Sequence, residues 1–299
     1  MPIKLKDSTK ILKTAFKKWF SRDPFKESSV IAYSAIFSLP GLMVVVVTLS
    51  SYFFGSELVN RHIHTTITGI LGPDTADQIQ EMIIHAMTNK DSIWATIIGL
   101  ITILIGATGV FVQVQKSLNI IWEVKAKPEK SGIWNFVKLR LFSFGLILSI
   151  AFLLLISLVV TSFLSAAGEW IKQQWDTSLI WLFNILNFVA SFTIIALLFG
   201  MMYKVLPDAK VKWRGVWVGA IVTAFLFTVG KTLLGLYFGK AEPGSSYGAA
   251  GSVILILLWV SYSSMIFFYG AEFTKAYTDR HVGEIPANEV AVKKKGRIK

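Results

Sequence analysis

The stretch from residue 215 to residue 273 constrains the fold more than any other part of the sequence. It holds two apolar runs separated by a Gly/Ser-rich loop, with a lysine, Lys231, inside the first run. A spanning helix needs about 20 mostly apolar residues, so each run is long enough to cross a bilayer. A charge within such a helix is costly and marks a functional residue by default. The stretch therefore predicts two membrane spans and makes Lys231 the first candidate for ligand contact.

The rest of the chain repeats this pattern. Of its 299 residues, 54% are hydrophobic and only 16% are charged, and the apolar residues fall in long blocks. This composition excludes an ordinary soluble domain and predicts an all-α, polytopic integral membrane protein. Four further apolar runs, at about 29–54, 93–112, 141–164 and 179–203, are also expected to span the membrane. With the two runs described above, six transmembrane helices are predicted.

The basic residues predict the orientation of these spans. Six spans place both termini on one side, and twenty-four of the 30 Lys and Arg residues fall in segments on that side, against four on the other. By the positive-inside rule, both termini are cytoplasmic. The net charge of +12 then needs no nucleic-acid partner to explain it.

Both ends of the chain are basic. Residues of about 5–22 have the spacing of a basic amphipathic helix, expected to lie on an anionic leaflet and to end at Pro24; a solvated basic tail is the alternative. Residues 1–278 are expected to form a single membrane domain, and 279–299 a disordered basic cytoplasmic tail. After Gly72 and Pro73, a short helix is expected on the far surface.

The sequence lacks the residues for several chemistries. There is no cysteine, and the four histidines do not form a metal-binding spacing, so neither a metal nor a cofactor is predicted. Gly230, Lys231 and Thr232 imitate the end of a phosphate-binding loop, but Phe225 stands where a glycine is required. No cluster of acids and bases suited to hydrolysis accompanies the spans.

A few polar residues in or near the spans remain as candidates. Lys231 either lines a hydrated or headgroup-filled cavity, reaches the outer interface by snorkelling, or forms an internal ion pair. Glu272, at the inner end of the last span, is expected to pair with Arg214, Lys204 or a cation of the loop after the second span. Pro40 could serve as a hinge, although a simple bend is the favoured interpretation. The glycine pairs Gly215/Gly219 and Gly235/Gly239 predict close helix packing.

Several of these residues fall in short motifs that together resemble the YihY/BrkB family of bacterial inner-membrane proteins. The motifs keep their order over nearly the whole chain. They are Ala32-Tyr33, Ser38-Leu39-Pro40, Leu118-Asn119-Ile120-Ile121-Trp122, Tyr203-Lys204-Val205-Leu206-Pro207, Gly230-Lys231, Leu236-Tyr237, Tyr247-Gly248, Trp259 and Gly270-Ala271-Glu272.

The resemblance implies six spans in a bacterial inner membrane and a role in the cell envelope. It suggests transport or flipping of lipids or other anionic amphiphiles, with membrane lipids as partners. A non-transporting scaffold or subunit, working as a homo-oligomer or with an envelope protein, is the alternative. The ribonuclease label once given to this family finds no support in the residues. Ligand contact is predicted at Lys231, Tyr237, Tyr247, Asn119 and Arg140.

Overall fold

Helices account for most of the protein in the computed structural model, which describes residues 5–37, 56–88, 109–127, 180–241, 247, 250–289 and 291–293. The helices are α1 (Leu5–Ser21), α2 (24–37), α3 (Ser56–Leu71), α4 (Pro73–Thr88), α5 (109–121), α6 (Ile180–Val205), α7 (Trp213–Ala241) and α8 (Gly251–His281). Two short strands, β1 (Val124–Ala126) and β2 (Ala291–Lys293), pair antiparallel. This small sheet is a departure from the predicted all-α fold.

Three of the described helices, α6, α7 and α8, are long and apolar enough to cross a membrane. Large apolar side chains such as Phe188, Phe225 and Leu233 point outward from them, as lipid-facing residues do. These helices correspond to the last three predicted spans. The predicted spans 93–112 and 141–164 lie largely or wholly outside the described residues, as does most of 29–54, so the count of six stays a prediction.

Glycines allow α7 and α8 to pack closely as an antiparallel pair. A side chain at Gly219 would collide with Thr274, and one at Gly215 would collide with Thr278. At Gly270 the glycine is on α8 and the threonine on α7: a side chain at Gly270 would collide with Thr223. Close packing at the first predicted glycine pair is confirmed. At Gly235 and Gly239 no described residue lies within 4 Å of where a side chain would start, so close packing there stays a prediction.

Helix α1 runs lengthwise beside the end of α8, in the opposite direction. Asp7 contacts Arg280 with an oxygen–nitrogen distance of 2.5 Å, and Trp19 donates a hydrogen bond from Nε1 to the carbonyl oxygen of Met265 at 3.1 Å. Between these points, Ile11 and Ala15 are buried in a cluster with Phe273 and Tyr277 of α8. The predicted N-terminal helix is confirmed. Its predicted position, flat on a leaflet, is not confirmed, because the buried face of α1 packs against α8.

A sharp elbow joins α1 to α2. Helix α1 ends at Ser21, and Asp23 adopts the left-handed conformation (φ 53°). Pro24 then begins α2 instead of ending α1; proline suits a first helical position because its fixed φ matches the helix and its missing N–H would be unpaired there.

The chain after α8 folds back onto the protein. Helix α8 continues to His281, and β2 then pairs with β1. The backbone N–H of Lys210 donates to the carbonyl oxygen of Pro286, and the backbone N–H of Asn288 donates to the carbonyl oxygen of Asp208, both at 2.9 Å. Ile285 and Ala291 are buried in the main core. The predicted disorder of the tail is therefore wrong for the described residues up to Lys293.

The described segments meet at two opposite ends of the α7–α8 pair. We call the end that carries Trp213 and His281 the basic end; it holds α1, the end of α5, the turn before α7 and the folded tail. At the other end, Ile79 of α4 packs with Phe238 and Ile256. The helix predicted after Pro73 is confirmed as α4, and α3 precedes it.

Candidate functional site

A polar cleft opens between α6 and α7. Asn187 and Ser191 lie one turn apart on α6, and Thr228 and Lys231 lie one turn apart on α7, so each pair shares one helix face. Phe188, Phe192 and Ile195 complete the lining, and the volume is about 270 Å³. We call this the Lys231 cleft.

Lys231 lies well inside the apolar helix α7. Lys231 precedes Ala241, the end of α7, by ten residues, or about 15 Å at 1.5 Å per residue. That is about half the thickness of the hydrocarbon core of a bilayer. The sequence predicted a shorter distance because the helix was expected to end earlier. Lys231 lies about two-thirds of the way along α7, and its exposed side chain lines the cleft. Snorkelling therefore stays an alternative to ligand contact.

The cleft offers several groups to a ligand. Lys231 supplies a charged donor. The Oδ1 atom of Asn187 is buried and has no hydrogen-bond partner among the described residues. The Thr228 hydroxyl already donates to the carbonyl of Ala224 at 2.8 Å, which leaves its lone pairs free. Such a set suits a headgroup that carries both an anion and hydrogen-bond donors.

Three other predicted ligand residues, Tyr237, Tyr247 and Asn119, do not line this cleft. Tyr237 and Tyr247 are exposed elsewhere. Asn119 is engaged in the structure: its Nδ2 donates to Asp208 Oδ2 at 2.7 Å, and the Asp208 amide donates to Asn119 Oδ1 at 2.8 Å. Both ends of the amide thus hold the turn before α7, and contact of Asn119 with a ligand stays a prediction. Arg140 and Pro40 lie outside the described residues.

Sequence reasoning missed Asn187 and Ser191. Both interrupt an apolar run four residues apart, and a polar pair at helical spacing is a signal that could have identified them.

A second polar site lies at the basic end, where four charged side chains alternate in sign. Arg22 Nε is 2.5 Å from Glu272 Oε1, and Lys275 Nζ is 2.6 Å from Glu123 Oε1. Arg22 Nη2 lies 3.9 Å from Glu123 and so links the two pairs. Glu272 is only 1% exposed. We call these four residues the charge network; its formal charge is zero.

The predicted pairing of Glu272 with Lys204 or Arg214 is wrong. Lys204 instead donates from Nζ to the carbonyl of Val211 and lies 5.8 Å from the centre of the Trp213 ring. Arg214 is exposed at the start of α7. The elbow after α1 brings Arg22 to Glu272, and Arg22 Nη1 also donates to the carbonyl of Ile120 at 3.0 Å.

A small cavity of about 40 Å³ adjoins the charge network and is lined by Arg22, Glu27, Ser117 and Glu272 among others. The Ser117 hydroxyl donates to Glu27 Oε2 at 2.7 Å. Neither Glu272 oxygen has a well-directed hydrogen bond among the described residues, although Arg22 is in contact. A water molecule fits in a cavity of this size and would complete the hydrogen bonding of Glu272.

The charge network also sets the protonation of its outermost acid. Partial burial acts to raise the pKa of Glu123, but the hydrogen bond and charge of Lys275, with the charges of Lys18 and Arg22, outweigh it and lower the pKa below its ordinary value. Glu123 therefore stays ionised and keeps Lys275 paired.

Motif residues at the basic end are structural. The Tyr203 hydroxyl is buried, donates to the carbonyl of Phe267 at 2.7 Å and lies 3.0 Å from Thr223 Oγ1. Trp122 packs beside it, with ring centres 6.1 Å apart. These contacts join α6, α7 and α8 at the level of Gly270, so the motifs maintain the frame around the charge network.

Three long apolar helices, with a polar cleft opening between two of them, define a helical membrane protein. The chain belongs to the family described as "Virulence factor BrkB", whose model matches residues 15–295. The resemblance to the YihY/BrkB family is thus confirmed.

Curated relatives agree with this class. A "UPF0761 membrane protein" of Mannheimia succiniciproducens is 25% identical over 292 residues, covering 96% of both chains. One from Pseudoalteromonas atlantica is 27% identical over 246 residues, covering 82% of this chain and 78% of the relative. One from Rhodospirillum centenum is 25% identical and matches 95% of this chain but 61% of its own length. No solved structure matches the chain significantly.

Proposed function

We propose that this protein moves lipids or other anionic amphiphiles across the bacterial inner membrane. The observation that carries the proposal is the Lys231 cleft, where four polar side chains meet beside two apolar helices and Lys231 lies about two-thirds of the way along α7. An ammonium group at that depth is costly unless an anion or water compensates it. An anionic headgroup in the cleft would supply this compensation.

The shape of the cleft favours an amphiphile over a free ion. Phe188 and Phe192 flank the polar groups, and the outward faces of α6 and α7 are apolar. A headgroup could enter between Asn187 and Lys231 while its acyl chains stay in lipid. The basic segments at the other end of α7 would attract anionic headgroups from the cytoplasmic leaflet. Pro40 as a hinge for this movement stays a prediction.

Purified protein in liposomes tests the proposal. Movement of a fluorescent anionic phospholipid between leaflets should exceed that in empty liposomes. The Lys231→Gln variant removes one charge-assisted hydrogen bond and should slow movement by about tenfold or more. Lys240→Gln, which removes a cation near the end of the same helix and outside the cleft, is the matched control and should retain the original rate.

Unchanged movement in Lys231→Gln would remove the cleft from the mechanism. No movement for anionic or zwitterionic lipids would contradict transport itself. Co-purification of a stoichiometric membrane partner in that case would support the alternative of a non-transporting scaffold.

A further inference from the structure

We propose that the outward face of α1 is a binding surface for anionic phospholipid. Helix α1 would stand upright beside α8, and its outward face would lie at the boundary between headgroups and acyl chains. We call this surface the α1 stripe; it consists of Leu12, Phe16 and Phe20. The inference does not depend on transport, since the α1 stripe is separate from the Lys231 cleft.

Packing on α8 leaves the α1 stripe uncovered. The two buried residues of α1, Ile11 and Ala15, are 3% and 0% exposed, whereas Leu12, Phe16 and Phe20 are 41%, 54% and 62% exposed. The stripe residues follow each other at intervals of four, so they form one continuous apolar face. The rings of Phe16 and Phe20 stack with centres 6.3 Å apart.

The length of α8 places this stripe at the membrane boundary. Helix α8 has 31 residues, which is about 46 Å, well beyond the roughly 30 Å of a hydrocarbon core. The ten or so residues beyond the hydrocarbon include buried Glu272 and Lys275 and so lie at the basic end. Because α1 extends beside α8 from Arg280 to Met265, its Trp19 end reaches the hydrocarbon boundary and its Asp7 end lies further out.

The charges next to the stripe select an anionic partner. Lys13 and Lys17 are exposed and have no ion-pair partner among the described residues. Arg22, in contrast, is committed to Glu272 within the charge network. Outward lysines interact with anionic headgroups, while phenylalanines at the boundary contact acyl chains. A bilayer leaflet containing anionic phospholipid satisfies both requirements at once.

The natural absence of cysteine permits a direct test in the full chain. Single variants Leu12→Cys, Phe16→Cys and Phe20→Cys would carry a nitroxide label in proteoliposomes. The rate at which each label collides with oxygen, divided by the rate at which it collides with a water-soluble nickel chelate, measures the depth of the label in the membrane. Lys125→Cys, exposed in β1, is the aqueous control.

The upright position predicts depth that increases from residue 12 to 16 to 20. Equal depth at all three would show a helix lying flat, and nickel accessibility at residues 16 and 20 matching Lys125→Cys would show a surface in water; either result overturns the proposal. Aqueous labels together with capture of a protein partner would assign the stripe to that partner.

The choice of lipid is tested by titrating phosphatidylglycerol into phosphatidylcholine vesicles. Depth at residue 16 should increase with the anionic fraction. Changing both Lys13 and Lys17 to Gln should weaken the apparent affinity for anionic lipid by about thirtyfold, from roughly 1 kcal/mol for each lysine. The Lys125→Gln variant should leave it unchanged. An identical response in the double variant would remove the charge selection from the proposal.

Discussion

Glu272 illustrates how a buried charge can be retained in a membrane protein at its basic end. The carboxylate is almost fully covered, and Arg22 contacts it from a different part of the chain. Removing one partner of a buried pair leaves the other charge uncompensated, which costs more than the pair itself contributes. The charge network therefore fixes the elbow between α1 and α2 onto α8.

Replacing Glu272 by Gln should destabilise the protein clearly. We expect a loss toward the lower end of about 3–5 kcal/mol, because Arg22 remains partly exposed and can turn toward Glu123. Glu289→Gln is the matched control, since Glu289 is exposed and lies 3.8 Å from Lys210; surface pairs contribute about 0–1 kcal/mol. Thermal unfolding in detergent measures both. Equal melting temperatures for the two variants would contradict a stabilising role of the charge network.

The sequence indicated that Glu272 needs a cation at the inner end but could not identify it. Arg22 stands 250 positions earlier, and its approach depends on the left-handed backbone at Asp23. Aspartate adopts that conformation more readily than most residues with a side chain, but the local sequence does not show that it brings Arg22 to Glu272. The contact between Asn119 and Asp208 was missed for a related reason, because the two residues are 89 positions apart in the sequence.

Contacts between small residues and threonines define the α7–α8 pair at the level of the elements. Gly219 meets not only the side chain of Thr274 but also its Cα atom, so the contact cannot relax by a rotamer change. Small residues at such crossings allow the backbones to approach and contribute packing within the membrane.

Gly219→Ala should therefore separate the two helices. Overpacking costs about 1–3 kcal/mol, which outweighs the gain in helix propensity of about 1 kcal/mol from replacing glycine. Gly235→Ala, on the same helix but with no described residue within 4 Å of the added carbon, should be neutral or slightly stabilising. Unfolding of both variants in detergent distinguishes them, and a stable Gly219→Ala protein would show that the close contact is dispensable.

Helix lengths and apolar runs predicted α6, α7 and α8 well, since lipid imposes both constraints directly. Which glycines face the partner was not predictable. Gly215/Gly219 and Gly235/Gly239 have the same spacing, and only the rotation of α7 against α8 separates them. The course of α1 was missed because its apolar residues suit lipid and protein equally.

At the scale of the whole molecule, the distribution of charge agrees with the packing. The segments predicted to share the cytoplasmic side, namely the N-terminal helix, the chain after α5, the turn before α7 and the tail, all meet at the basic end. The described part of the tail folds with them, since it pairs with β1 and covers the turn at Asp208. Placing this end in the cytoplasm rests on the positive-inside rule.

Single cysteines in the cysteine-free chain would test that orientation in intact bacterial cells. A membrane-impermeant maleimide should label Lys240→Cys, near the far end of α7, without permeabilisation. It should label Lys125→Cys and Glu289→Cys only after the membrane is opened, because both belong to the basic end. The reverse pattern would show the opposite orientation and would place the α1 stripe on the outer leaflet. Different accessibility of Lys125→Cys and Glu289→Cys would contradict the fold itself, since β1 and the folded tail could not then lie on the same side.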